Sequence, residues 1–122
     1  MKTQGFHHIQ IDVSDLDRSL AFYEGLMGMK EQFRGGPNLV FLQTPGANDL
    51  LTLHRVDGPV DTGKGGLEHF GFSIRREDRE AALAEVRSFG AEILDIGWHG
   101  DEQSGTPYAY IKDPDGYTIE LD

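Results

Sequence analysis

The stretch G5-F-H-H-I-Q-I-D-V13 returns as G66-L-E-H-F-G-F-S-I74, and this repetition decides the fold. Gly5 falls on Gly66, His8 on His69, Ile11 on Phe72 and Val13 on Ile74, all at an offset of 61. Downstream, D17-R-S-L-A-F-Y-E24 falls on D78-R-E-A-A-L-A-E85 at the same offset, with Asp17, Arg18, Ala21 and Glu24 each meeting an identical residue. Gly28 then pairs with Gly90, one residue further along. Near the end of each half, T44-P-G-A-N-D-L-L-T-L53 resembles D113-P-D-G-Y-T-I-E-L121, so that Thr52 pairs with Glu120 and Leu53 with Leu121. Matches that keep one order through both halves point to a duplicated structural unit.

Each half reads as a strand, a helix and then several strands. FHHIQIDV and EHFGFSI alternate as half-buried strands do. Ser14 or Asp15 can cap the first helix, whose Leu16, Leu20, Tyr23 and Met27 lie near one face, with Gly28 as a left-handed stop. In the second half Ala82, Val86 and Phe89 form the stripe and Gly90 the stop. Strand candidates follow: KEQFR, LVFLQT and DLLTLHRV, then AEILDIGW, TPYAYIK and YTIELD, separated by turn signals such as D113-P-D-G116. The expected architecture is α+β, a single domain over 1–122 made of two βαβββ modules. Module one spans 5–57, a Gly- and Pro-containing linker 58–65, and module two 66–122.

Successive side chains of a strand point to opposite faces. Ile9, Ile11 and Val13 thus share one face and His8, Gln10 and Asp12 the other; Phe70, Phe72 and Ile74 oppose His69, Gly71 and Ser73. In the last strand of each module, Leu51 and Leu53 oppose Thr52 and His54, and Ile119 and Leu121 oppose Thr118, Glu120 and Asp122. The polar faces carry His8, His69 and Glu120. Two imidazoles and a carboxylate suit Fe(II), Mn(II), Ni(II) or Zn(II), and three protein ligands leave positions open for substrate. The alternative is that these are ordinary polar residues on wet strand faces.

Composition narrows the field. The 122 residues, 38% hydrophobic and 26% charged, suffice for one compact domain. The formal charge of −10 and the lack of a basic run argue against nucleic acid as a partner. Cysteine is absent, which excludes disulfides, thiolate ligands and a cysteine nucleophile. No segment holds the ~20 apolar residues of a membrane span, and no signal-peptide pattern opens the chain, so a cytoplasmic protein is expected.

Taken together, H8-I-Q-I-D-V13, D15-L-D-R-S-L-A-F-Y23, L26-M-G28, E68-H-F-G-F-S-I74, D113-P-D-G116 and I119-E-L121 resemble the vicinal oxygen chelate superfamily, which embraces glyoxalases, bleomycin resistance proteins and extradiol dioxygenases. The resemblance covers essentially the whole chain. It implies a cup-shaped, eight-stranded mixed sheet, His8, His69 and Glu120 as metal ligands, and a small substrate that chelates the metal through vicinal oxygens. It also implies a homodimer with sites built across two chains.

The departures from family patterns shape the expected chemistry. Glyoxalase I places a fourth ligand, glutamate or glutamine, where Thr52 stands, and bacterial glyoxalases place a glutathione-binding arginine where Asp12 stands. Fosfomycin thiol transferases use three ligands with a basic phosphonate pocket. Extradiol dioxygenases also use three ligands, with a tyrosine placed like Tyr110 ahead of the turn and the glutamate; packing is the alternative role for Tyr110. These comparisons lean the expectation towards three-ligand, dioxygenase-like chemistry with Fe(II) or Mn(II), and Zn(II) or Ni(II) as further options. The alternatives are a glyoxalase-type lyase or isomerase and a non-catalytic, drug-sequestering protein. Tyr110 and His54 are the candidate catalytic groups. Thr52, Gln10, Tyr108 and Trp98 are the candidate pocket lining, with Trp98 and His99 opening a loop that runs to Pro107.

Overall fold

The computed structural model describes residues 1–122 except Thr3, Gly5 and Lys64. The Gly5 match and the Lys64 position of the expected linker therefore lie outside the described residues. The chain divides into two compact units, Met1–Val60 and Asp61–Asp122.

The first unit runs β1 (Ile9–Val13), α1 (Leu16–Leu20), β2 (Lys30–Arg34), β3 (Leu39–Gln43) and β4 (Leu51–Arg55). The sheet order is β1-β4-β3-β2, with β1 parallel to β4 and the other pairs antiparallel. Asp15 is the helix cap: its carboxylate accepts from the Arg18 N–H at 3.0 Å and satisfies an otherwise orphaned donor. α1 passes directly into a π-helical turn, Ala21–Leu26. There the Met27 N–H donates to the Phe22 carbonyl at 3.0 Å, five residues back. The wider turn rotates Met27 to half-burial and seats Phe22, Tyr23 and Met29 in the core, so the expected stripe holds only as far as Tyr23. Gly28, at φ +74°, ends the segment as its sequence position suggests.

The second unit repeats the plan: β5 (Phe70–Phe72), a 3-10 turn (Arg76–Asp78), α2 (Arg79–Phe89), β6 (Ile93–His99), β7 (Thr106–Lys112) and β8 (Thr118–Leu121). The order is β5-β8-β7-β6, with β5 parallel to β8. α2 buries Leu83 and Val86, whereas Phe89 is 44% exposed. The expected Ala82–Val86–Phe89 stripe is therefore turned by one position, because Leu83 offers more apolar surface than Ala82. Gly90, at φ +86°, forms the left-handed cap. The expected α+β pairing of βαβββ modules is thus present, hydrogen-bonded as one four-stranded mixed sheet per unit. No helix among the described residues is long and apolar enough to cross a membrane.

The duplication extends to strand register. Gln10 pairs with Thr52 across β1–β4, and Gly71 with Glu120 across β5–β8. On the far side, Phe41 stands opposite Thr52 and Tyr110 opposite Glu120. Continuing to the edge strands, Phe33 pairs with Phe41 and Asp95 with Tyr110. One sheet thus carries the row Gln10–Thr52–Phe41–Phe33, the other Gly71–Glu120–Tyr110–Asp95. Both Thr52 (0% exposed) and Glu120 (9%) are buried, although the period-two pattern assigns them to the polar face. They lie on strands flanked on both sides, where side chains of either face are covered by neighbours.

The β6–β7 hairpin is longer than expected. Trp98 pairs with Pro107 and His99 with Thr106, so these residues end and begin strands, and the connecting loop is only 100–105. Asp101 closes it: its carboxylate accepts from the N–H groups of Gln103 and Ser104, both at 2.9 Å, and from the Ser104 hydroxyl at 2.6 Å. These bonds hold the Asp101 carboxyl below its ordinary range, with the Ser104 hydroxyl contributing most. Gly105 sits so close that an added Cβ would collide with the carbonyl oxygens of His99 and Asp101. Gly105→Ala should therefore destabilise the protein by about 1–3 kcal/mol, as overpacking against fixed backbone does. A denaturation midpoint equal to wild type would contradict this.

Candidate metal centre

Glu120 is the focus of the second unit. β8 holds it between Gly71 and Tyr110, and the D113-P-D-G116 turn fixes that register. Asp113 anchors the turn by accepting from the N–H groups of Asp115 (3.0 Å), Gly116 (2.9 Å) and Tyr117 (2.9 Å). Gly71 leaves its side of Glu120 uncrowded; a Cβ there would stand 3.6 Å from the glutamate Cβ.

Both carboxylate oxygens of Glu120 are engaged by imidazole. The His99 Nε2 lies 2.8 Å from Oε1 and the His69 Nε2 lies 3.0 Å from Oε2. The His99 bond is the chief reason that the Glu120 carboxyl is held below its ordinary range; burial opposes the shift, and Tyr110 and His69 reinforce it. Conversely, burial and then the neighbouring Glu120 carboxylate raise the Tyr110 phenol.

His69 precedes β5 directly, as His8 precedes β1. Its Nδ1 bonds to the Glu68 carboxylate, and the Tyr110 ring packs edge-on at 5.3 Å between centroids. A carboxylate that accepts from Nδ1–H leaves the Nε2 lone pair for a metal, which is the arrangement ligating histidines commonly show. The donor chemistry of His69 and Glu120 therefore fits a divalent cation. Among the described residues, no group of three or more His, Asp or Glu side chains stands ready to hold a metal ion. Within their unit His69 and Glu120 supply one nitrogen and one carboxylate. Glu68, Asp95 and Glu120 have no lysine or arginine partner among the described residues, so this face is anionic.

The other expected residues fall into separate groups. Tyr108 lies across Gly97, its hydroxyl donates to Asp95 at 3.0 Å, and its ring packs on His99 at 4.6 Å and on Tyr110 at 5.3 Å. Trp98 is not brought together with these tyrosines. Alternation turns it to the opposite side of β6 from His99, where the guanidinium groups of Arg76 and Arg79 stack on its ring at 4.6 and 5.0 Å. Arg76 also ties the loop by donating to the Gly105 carbonyl at 2.9 Å. His99 and Glu68 were absent from the expected site. The alternation Asp95, Gly97, His99 in register with Tyr110, Tyr108 and Thr106 marks His99 as a member of this face; Glu68 is betrayed only by its adjacency to His69.

In the first unit, His8 Nδ1 lies 2.8 Å from His7 Nδ1, the two rings meeting edge to face. His54 Nδ1 bonds Asp12 Oδ1 at 3.0 Å across the β1–β4 ladder. Gln10 is exposed beside Thr52, whose buried Oγ1 has no hydrogen-bond partner among the described residues. Leaving such a hydroxyl unpaired costs free energy. Thr52→Val should stabilise the fold by about 1 kcal/mol. A destabilised variant would mean that the hydroxyl has a partner in solution.

A family model described as the glyoxalase/bleomycin resistance protein/dioxygenase superfamily matches residues 5–121. The chain belongs to this superfamily. Among curated members, a probable lactoylglutathione lyase of Synechocystis is 32% identical over 124 residues, covering 93% of this chain and 91% of the relative. The metallothiol transferase FosB of Lysinibacillus sphaericus is 29% identical over 123 residues, covering 99% and 83%. A mutant of the fosfomycin resistance protein FosX from Listeria monocytogenes, crystallised with Mn(II) and 1S,2S-dihydroxypropylphosphonic acid, shares the fold with a TM-score of 0.79 at 19% identity, covering 98% of this chain and 92% of that one. The superfamily that the sequence resembles is thus the family of this chain, and the βαβββ units read from the repeat are present in it.

Proposed function

We propose that the chain is a divalent-metal-dependent enzyme of the superfamily, with His8, His69 and Glu120 as ligands, acting on a small substrate that chelates through vicinal oxygens. The observation that carries this reading is the His69–Glu120 pair. Its imidazole is oriented by Glu68 and packed by the Tyr110 ring, and its carboxylate is held by His99, an arrangement more elaborate than a solvated strand face requires. Mn(II) or Fe(II) suits the nitrogen–oxygen donors, with Zn(II) or Ni(II) as alternatives. A bound divalent ion would supply Lewis-acid polarisation and orientation of substrate oxygens.

Within that class the reading moves from dioxygenase to lyase or isomerase chemistry. The curated relatives described above are a lyase and a thiol transferase. Tyr110 stands opposite Glu120 in the ladder and packs edge-on against His69, a position that fits a group supporting the ligands better than one reserved for substrate. His54, held by Asp12, is the candidate proton acceptor of the first unit, because a carboxylate on Nδ1 orients the ring. The substrate is unlike glutathione, since Asp12 would repel a carboxylate at the position where glyoxalases use arginine. The anionic face around Glu120 likewise disfavours a phosphonate held by protein cations. The homodimer implied by the family resemblance is part of this proposal.

Elemental analysis of protein purified without chelator is the first test. The Mn(II), Fe(II), Ni(II) and Zn(II) forms are then assayed against hemithioacetals and, with oxygen, against catechols. Turnover of a hemithioacetal or a related hydroxy-carbonyl compound is expected. Ring cleavage would restore the dioxygenase reading. Failure to take up any metal would indicate a drug-sequestering protein instead.

A further inference from the structure

His99 stands 21 residues from Glu120 in sequence and on a different strand, yet its Nε2 is 2.8 Å from Glu120 Oε1. Its backbone and its ring are both held. The ladder pairs it with Thr106, the Tyr108 ring packs on it at 4.6 Å, and the Asp101–Gly105 closure follows it directly, with the Gly105 N–H donating to the Asp101 carbonyl at 2.7 Å. Tyr108 can lie against it because Gly97 has no side chain: a Cβ there would stand 2.7 Å from the ring carbon that bears the hydroxyl. The Tyr108 hydroxyl is in turn pinned by Asp95 at 3.0 Å.

We infer that His99 is a positioning residue for Glu120: its Nε2–H grips Oε1, so that Oε2 is presented beside His69 Nε2 for a metal. This rests on the metal reading of His69 and Glu120 proposed above. A carboxylate has two equivalent oxygens and can rotate about its last bond. Fixing one of them selects the other as the ligand and removes rotational freedom before the ion arrives. Partners that orient a ligand in this way usually contribute about 10- to 100-fold to metal affinity. The opposite role, in which His99 blocks the carboxylate, predicts the opposite sign, because its removal would then tighten binding.

The test is titration of the full chain with Mn(II) alone, following free Mn(II) by electron paramagnetic resonance, for wild type, His99→Ala and His99→Gln. Circular dichroism confirms that each is folded. The dissociation constant of His99→Ala should rise about 10- to 100-fold. His99→Gln should recover most of that loss, since its amide N–H can donate to Oε1 from a similar reach. If wild type binds Mn(II) while His99→Ala binds it equally well or better, the positioning role is overturned and the His69–Glu120 reading survives. If His99→Gln is as weak as His99→Ala, the imidazole itself is needed, and positioning is again overturned. If wild type binds no Mn(II), the metal reading falls and this inference with it.

Discussion

The Glu120→Gln protein should lose its metal while keeping its fold, with affinity falling by more than about 100-fold, beyond what loss of an orienting partner costs. Glutamine matches the shape of the glutamate and keeps a carbonyl that can accept from His99. The neighbours that pack Glu120, Gly71 on one strand and Tyr110 on the other, need no rearrangement. What disappears is the negative charge, and an amide is a far poorer ligand for a divalent ion than a carboxylate. Metal content measured beside circular dichroism separates the two effects. His69→Ala should behave in the same way, since the residue precedes its strand and contributes no core side chain. Undiminished metal in either folded variant would remove that residue from the proposed ligand set.

The largest effect on stability should come from the opposite face of the first sheet. Ile11, Leu53 and Val40 occupy neighbouring positions on β1, β4 and β3, and their exposures are 3%, 0% and 0%. Leu53 is the middle member, on a strand flanked on both sides, so its methyl groups cannot be replaced by solvent or by a mobile end. Leu53→Ala should cost about 2–5 kcal/mol, the range for a leucine lost from a core that collapses only in part. That corresponds to a fall in melting temperature of roughly 10 °C. A midpoint within a degree or two of wild type would mean that β4 relaxes into the space, and that its register is less constrained than its neighbours indicate.

Much of this was legible in the chain because the repeat supplies an internal check. KEQFR and TPYAYIK are β2 and β7 residue for residue, and the pairing of Thr52 with Glu120 in the sequence reappears as equivalent ladder positions. Both tight turns that matter, at Gly28 and at D113-P-D-G116, were marked by glycine. The π-helical turn was not legible: i→i+5 bonding leaves no distinct hydrophobic period in so short a segment, so Met27 was assigned to a stripe it does not join. The burial of Thr52 was missed because alternation states which face a residue occupies and says nothing of what covers that face. His99 was missed for a related reason. The glycine and polar residues after it suggested a loop, yet the strand runs through to it, and its contact with Glu120 depends on side-chain reach across a sheet.

The twin rows Gln10–Thr52–Phe41–Phe33 and Gly71–Glu120–Tyr110–Asp95 bear on how such a protein can change over generations. Main-chain hydrogen bonds do not read side chains, so the ladder persists whichever residue stands on a rung. One row has filled with two phenyl rings stacked 4.1 Å apart and a silent hydroxyl, while its twin keeps an acid, a phenol and an acid. Each row can therefore drift on its own account, one holding apolar rings while its twin holds acids and a phenol. A lineage built this way can gain or discard a ligand by a single substitution in either copy, with no strand having to find a new partner.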